Sequence, residues 1–290
     1  MSVRFSEQQL PDVAAGQQCP FCGEEADAFN VEWEVGPFAL HLCAGGNSKD
    51  IRPHPPVLLS FPWESEEEYE AWYADAKGAY HVTEQLEEGC GVYKASMENP
   101  RHHEFLEAAK SRLDFLRGIV PLTPHSSIMD IGAGSGEFVT VARARGFRNT
   151  YGIEPNPTLS LPGMVGQGTW KDVTHMGLPG DKTGPLWDVI TMFDVFEHLT
   201  RPKECLLHLR ECLAPSGVLV IEMPEFNSLP SIRDREKWKH IRPRQHVCLW
   251  SDEAFRAYAD ALGFYLVGFN RPLMGGLGKA TWVLMKKEDV

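Results

Sequence analysis

Two periods of apolar spacing run along this chain, and the switches between them mark out its elements. Ile128–Ile131 is a short, mostly apolar run that reads as a buried strand. Glu137–Arg145 then repeats its apolar positions with a helical period, with Phe138, Val141 and Ala142 on one face and Gly146 as the stop. Thr150–Ile153 and Trp187–Met192 are further strands, and Arg201–Leu213 is a helix burying Leu206, Leu209 and Leu213. Gly217–Met223 is a strand, and Ser251 caps a helix that runs to Leu262 and stops at Gly263. Phe264–Phe269 and Ala280–Met285 close the pattern as two strands. Alternation of this kind predicts an α/β fold with a mostly parallel sheet and helices on both faces. Arg271–Lys279 is too short for a crossover helix, so the last two strands are expected to be antiparallel.

Upstream the pattern changes. Arg101–Gly118 carries Leu106, Ala109, Leu113 and Leu116 as one apolar stripe, which predicts a helix placed to cover the ligand cleft at the glycine-rich strand that follows. Glu64–Tyr80 predicts another, with Tyr69, Trp72, Tyr73 and Ala76 on its packing side. Before it, Pro53, Pro55, Pro56 and Pro62 favour an extended linker. The expected organisation is a small irregular module over 1–60, a helical linker over 61–120 and an α/β domain over 121–290.

Chemistry concentrates where the first core strand ends. The run Asp130-Ile-Gly132-Ala-Gly134-Ser-Gly136 is a strand end, a glycine turn and a helix start. Glycines there allow positive φ and a close approach by a ligand, and the first helical N–H groups face whatever binds. A dinucleotide fingerprint spaces its glycines as G-x-G-x-x-G, which this turn does not match. A ligand with an amino-acid tail instead wants a carboxylate for its ammonium, and Asp130 supplies one. Glu154 ends the second strand, 18 residues after Gly136, where a carboxylate can accept both hydrogen bonds of a ribose diol.

A second candidate site lies in the N-terminal module. Cys19-Pro-Phe-Cys22-Gly has the form of a zinc knuckle, and His41-Leu-Cys43 follows. His41 and Cys43 point to one face of an extended strand, so Cys19, Cys22, His41 and Cys43 form a possible Cys3His set, with His54 as another possible fourth ligand. Gly46 stands where a second C-x-x-C would end.

Charge is uneven. Residues 1–100 carry 18 acidic and 5 basic side chains, whereas 101–290 carry 22 and 23, within a formal net charge of −12. The acidic first third disfavours nucleic-acid backbones. No apolar run is long enough to predict a membrane span, and the N-terminus lacks an apolar signal core. Seven cysteines without a small-scaffold pattern fit a reducing, cytoplasmic setting. A basic run, Arg233 to Arg244, is expected in the loop after the fifth strand, where it can hold an anionic substrate group.

The D-x-G-x-G-x-G run resembles motif I of the class I S-adenosylmethionine (SAM) dependent methyltransferases. Three later stretches strengthen the resemblance: Trp187-Asp-Val-Ile-Thr-Met-Phe-Asp-Val-Phe-Glu-His-Leu199, Leu213-Ala-Pro-Ser-Gly-Val-Leu-Val-Ile-Glu222, and His246 with Leu249-Trp-Ser-Asp-Glu-Ala-Phe255. It implies a Rossmann-like, seven-stranded methyltransferase sheet, mostly parallel with an antiparallel last strand, preceded by a small module. It also implies that Asp130, Gly132, Gly134 and Gly136 surround the methionine part of SAM, that Glu154 holds the ribose, and that Phe193 and Asp194 line the cleft. The adenine-side residue is expected near Gly168–Asp172. Because the methyl group of SAM is already activated, the protein's task is orientation and removal of a proton from the acceptor. His198 and His246 are the candidate bases. The expected acceptor is a small molecule such as a sugar nucleotide or secondary metabolite, with RNA or protein, or SAM binding without catalysis, as alternatives.

Overall fold

A strand with both faces covered can be apolar throughout, and a helix on its surface needs only one apolar stripe. The computed structural model follows that rule. It describes residues 7–13, 15, 18–25, 31–35, 38–44, 54–61, 68, 69, 71, 102–156, 165–173, 186–243, 245–271 and 278–287. Most of the predicted helix at 64–80 lies outside the described residues. Two compact units form, each drawing on separated stretches of sequence. One takes Met1–Glu66, Asp194–Arg210 and Ile221–Val290, and the other takes Glu67–Phe193 and Glu211–Val220.

The second of these is the glycine-turn unit. Its strands are β4 (Ile128–Ile131), β5 (Thr150–Glu154), β6 (Val165–Gln167) and β7 (Trp187–Phe193). They pair in parallel, β4 lying between β5 and β7. All four residues of β4 are buried, as a central parallel strand requires. Helix α1 (His102–Ile119) buries Ala109, Leu113 and Leu116, three members of the predicted stripe. It packs on α2 (Glu137–Ala144), which buries Phe138, Val139, Val141 and Ala142. Each fully buried leucine contributes about 1.5–3 kcal/mol.

In the other unit, β1 (Val31–Val35), β2 (Phe38–Cys43) and β3 (Val57–Phe61) form an antiparallel meander. β3 pairs antiparallel with β9 (Cys248–Ser251). β8 (Leu213–Phe226) contributes residues to both units and pairs in parallel with β9. Helix α3 (Pro202–Cys212) precedes β8, and α4 (Leu229–Asp234) follows it. α5 (Asp252–Ala261) is capped by the Ser251 hydroxyl, which accepts from the Ala254 N–H at 3.2 Å. Gly263 takes φ 82° just past its end. β10 (Phe264–Asn270) and β11 (Lys279–Lys286) are antiparallel, as the short connection demands.

The interior of this unit is aromatic. Trp250 packs against Phe196, Phe255 and Tyr258, and Phe255 against Trp282. Phe21 joins that cluster through Tyr258, with ring centroids 5.3 Å apart. This anchors the Cys19–Cys22 turn.

Candidate functional site

The glycine turn grows directly out of the register of β4. Asp130 sits opposite Thr191 of β7 on one side and Gly152 of β5 on the other. Thr191 therefore reaches it, and its hydroxyl donates to Asp130 Oδ1 at 2.6 Å. Burial pushes the Asp130 carboxyl up to about 7, while the Thr191 hydrogen bond and the Arg112 charge pull the other way.

Beyond Asp130 the chain turns through Gly132, Gly134 and Gly136 at φ 67°, 53° and 79°, all in the left-handed region. At Gly134 a β-carbon would meet nothing within 4 Å among the described residues, so its backbone angle of φ 53° calls for glycine. The Gly134 N–H donates to Glu154 Oε2 at 3.0 Å, and the Asn156 N–H donates to Oε1 at 3.0 Å. The carboxylate at the end of β5 thus ties the turn to the neighbouring strand and keeps spare lone pairs. Burial raises the Glu154 pKa, against those two hydrogen bonds. Phe193 ends β7 with its ring edge-to-face on Phe138 at 5.0 Å and under the Arg112 guanidinium at 4.3 Å. At Gly168–Asp172 the acid is committed locally. Asp172 Oδ2 accepts from the Thr169 N–H at 2.7 Å and closes a capping box.

In the other unit, Asp194 adopts φ 59° and its N–H donates to the Glu222 carbonyl at 2.8 Å. Its carboxylate pairs with Lys279 Nζ at 2.5 Å. The 3-10 turn Phe196–His198 then directs Glu197 and His198 inward. His198 Nδ1–H donates to the Gln245 carbonyl at 2.7 Å, and His246 Nδ1–H to the His240 carbonyl at 2.8 Å. Both Nε2 atoms lie 3.9 Å from Glu197 Oε1. The structure therefore brings His198 and His246 together, with ring centroids 4.8 Å apart, around a carboxylate not singled out as a site residue from sequence. Burial drives His198 down to about 4 and His246 well below its ordinary value, so both are neutral at pH 7. Burial, with the Asp194 charge adding to it, raises Glu197.

The knuckle closes around a different histidine from the one first set with its cysteines. Gly23, at φ 76°, lets the Gly23 N–H reach back to the Cys19 carbonyl at 2.8 Å, which turns Cys19 and Cys22 inward. Cys43 ends β2, and the His54 N–H donates to the Ala44 carbonyl at 2.9 Å, returning His54 to the same place. Cys22 Sγ is 3.7 Å from Cys43 Sγ, and His54 Nε2 lies 3.4 Å from Cys19 Sγ and 3.3 Å from Cys43 Sγ. Ligands 2.0–2.3 Å from one tetrahedral ion stand about 3.3–3.8 Å apart, so these four fit Zn2+. His54 Nδ1–H donates to the Pro55 carbonyl at 2.9 Å, leaving Nε2 toward the sulfurs. His41 stays outside the group. The ligand atoms that lie within 4.8 Å of one another are those of Cys19, Cys22, Cys43 and His54.

Three arginines of the basic loop find partners within it. Arg233 pairs with Asp234 at 2.6 Å, Arg235 with Glu236 at 3.8 Å, and Arg242 Nε donates to the Lys239 carbonyl at 3.2 Å. Arg244 lies outside the described residues. Sequence reasoning also missed Thr191 and Lys279. Thr191 had a signal, as the polar residue inside the apolar run Val189–Met192. Lys279 had none, since its partner lies 85 positions away.

No curated protein sequence matches the chain. Among solved structures, it resembles the Burkholderia thailandensis 1,6-didemethyltoxoflavin-N1-methyltransferase with bound S-adenosylhomocysteine, at TM-score 0.51 and 14% identity, over 89% of this chain and 100% of that one. It also resembles the magnesium protoporphyrin IX methyltransferase of Synechocystis PCC 6803 with bound SAH, at TM-score 0.51 and 11% identity, over 77% and 100%. These likenesses carry the fold: mixed α/β with a mostly parallel, Rossmann-like central sheet. The sequence model of the methyltransferase domain family matches residues 101–268, more than half of the chain and the whole stretch from α1 through the glycine turn to β10, and so the chain belongs to that family as a class I SAM-dependent methyltransferase.

Proposed function

We propose that this chain transfers the SAM methyl group to a small-molecule acceptor, such as a sugar nucleotide or secondary metabolite. The observation that carries the reading is the turn after β4, with three left-handed glycines beside a buried aspartate. Asp130 and the turn Gly132–Gly136 hold the methionine part of the cofactor, Asp130 facing its ammonium. Glu154 takes the ribose hydroxyls on lone pairs that Gly134 and Asn156 leave open. Phe193 and Asp194, at the end of β7 and just beyond it, belong to the cleft. SAM supplies an electrophilic methyl sulfonium, so this chain's residues need only bind, orient and manage the acceptor's proton. That proton is assigned to the group of Glu197, His198 and His246. Both imidazoles are neutral at pH 7 and so carry the lone pair a base needs, while burial opposes their charging.

Cys19, Cys22, Cys43 and His54 hold a structural Zn2+. The four donors leave no open ligand position, which is the mark of a structural and not a catalytic ion. Two observations favour a small acceptor. Two of the matched neighbours act on a porphyrin and on a toxoflavin precursor. The first hundred residues are acidic and repel nucleic-acid phosphates. Calorimetry with SAM and SAH, followed by SAH release across a panel of sugar nucleotides and secondary metabolites, tests the reading. Binding with turnover on a panel member is expected. Absence of SAM binding, or transfer only to RNA or protein, overturns it.

A further inference from the structure

Three lone-pair atoms converge inside the unit that holds β9. Glu197 Oε1 and the Nε2 atoms of His198 and His246 all lie within 4.8 Å of one another. Both imidazoles have spent their N–H on main-chain carbonyls, so each presents an acceptor to a third acceptor. Glu197 is 1% exposed, and among the described residues no hydrogen bond from another residue reaches either of its oxygens. Such a carboxyl is costly unless something positive meets it. A proton on Glu197 does not solve this, because 3.9 Å is too long for an O–H to bridge to either ring. Asp194 is already engaged with Lys279.

We propose that Glu197, His198 and His246 bind one divalent first-row transition cation, through a Glu197 oxygen and the two Nε2 atoms. Two imidazoles and one carboxylate suit such ions better than Mg2+ or Ca2+, which want oxygen. The main-chain carbonyls behind both rings are the outer support that metal-bound histidines need. Ligands on one ion stand about 3.0–3.5 Å apart, so each Glu197–His distance of 3.9 Å closes by less than about 1 Å on binding. Three protein ligands leave positions open for an incoming oxygen, whose hydroxyl becomes more acidic there. This rests on the reading that assigns the acceptor's proton to this group, and it names the means. The Cys19–His54 set is separate and rich in thiolate.

Co2+ discriminates the two sites, because only thiolate ligation gives strong near-ultraviolet charge transfer. Full-length protein is stripped with chelator and dialysed against Co2+. One equivalent without charge transfer is expected, in addition to any thiolate-bound equivalent. That equivalent is lost in Glu197→Gln and in His246→Asn and kept in Cys22→Ser, with SAH affinity and near-ultraviolet circular dichroism as the control for folding. A wild type that binds only the thiolate equivalent overturns the site, as does Glu197→Gln with unchanged stoichiometry. Methyl transfer separates the two readings. Lost turnover in Glu197→Gln without Co2+ binding removes the cation and leaves the proton role. Co2+ binding with unchanged turnover leaves the cation and removes the proton role.

Discussion

The glycine turn and the Cys/His group, both proposed above as ligand sites, are held by different means. The turn takes its shape from seven consecutive residues and one neighbouring strand, and its glycines set the backbone before any partner arrives. The Cys/His group joins positions 19, 22, 43 and 54, which meet only when the meander and its aromatic packing close. The first kind of site fails by local strain, and the second by loss of a long-range tie. Breaking each should show that difference.

The largest effect is expected at the tie. Metal in a structural Cys3His site contributes on the order of 10 kcal/mol of gross binding free energy, much of it folding free energy. Cys43→Ser, or chelation of the wild type, should lower the thermal midpoint more than any change below and remove one metal equivalent. Thermal melts with metal analysis check this, and an unchanged midpoint would show that the meander holds without an ion.

Next comes the turn. Gly134→Ala forces a side chain into φ 53° and should cost about 1–2 kcal/mol, visible as weaker SAH binding with little change in metal content. Gly134→Asn should recover part of the loss, because asparagine tolerates that region. Equal effects from the two would point to crowding by the ligand instead of backbone strain.

Asp130 adds a pH test. Burial raises its carboxyl to about 7, so in the free protein it is protonated below that pH and ionised above it. Only the ionised form pairs with an ammonium. SAH should therefore bind roughly several-fold more weakly at pH 6 than at pH 7.5, where an α-amino group near 8 is still mostly charged. Calorimetry across that range checks the slope, and Asp130→Asn should flatten it. The smallest effect is expected from Thr191→Val, about 1 kcal/mol of stability. It removes a hydrogen bond that lowers the Asp130 pKa, so the midpoint of the affinity curve should move to higher pH.

Legibility in the sequence follows the same division. β4, the glycine turn, α2 and the antiparallel end pair could be read from apolar period and stop residues, because each is specified within about ten residues. The link from Glu154 to Gly134 could not, since it depends on which backbone N–H the carboxylate finds first. Glu197 looked like part of a strand-end motif, and its meeting with His246 requires the chain to return almost fifty residues later. On paper His41 was set with the three cysteines and His54 was the other possible fourth ligand; the return turn at Ala44 is what brings His54 Nε2 to the sulfurs.

By itself, the order of residues determined the α/β alternation, the glycine turn after the first core strand and the close Cys19–Cys22 pair, because those depend on backbone preferences and short spacings. Tertiary structure alone decided which histidine joins the cysteines, and that a carboxylate and two imidazoles share one buried point. Those depend on long-range closure, which no local spacing encodes.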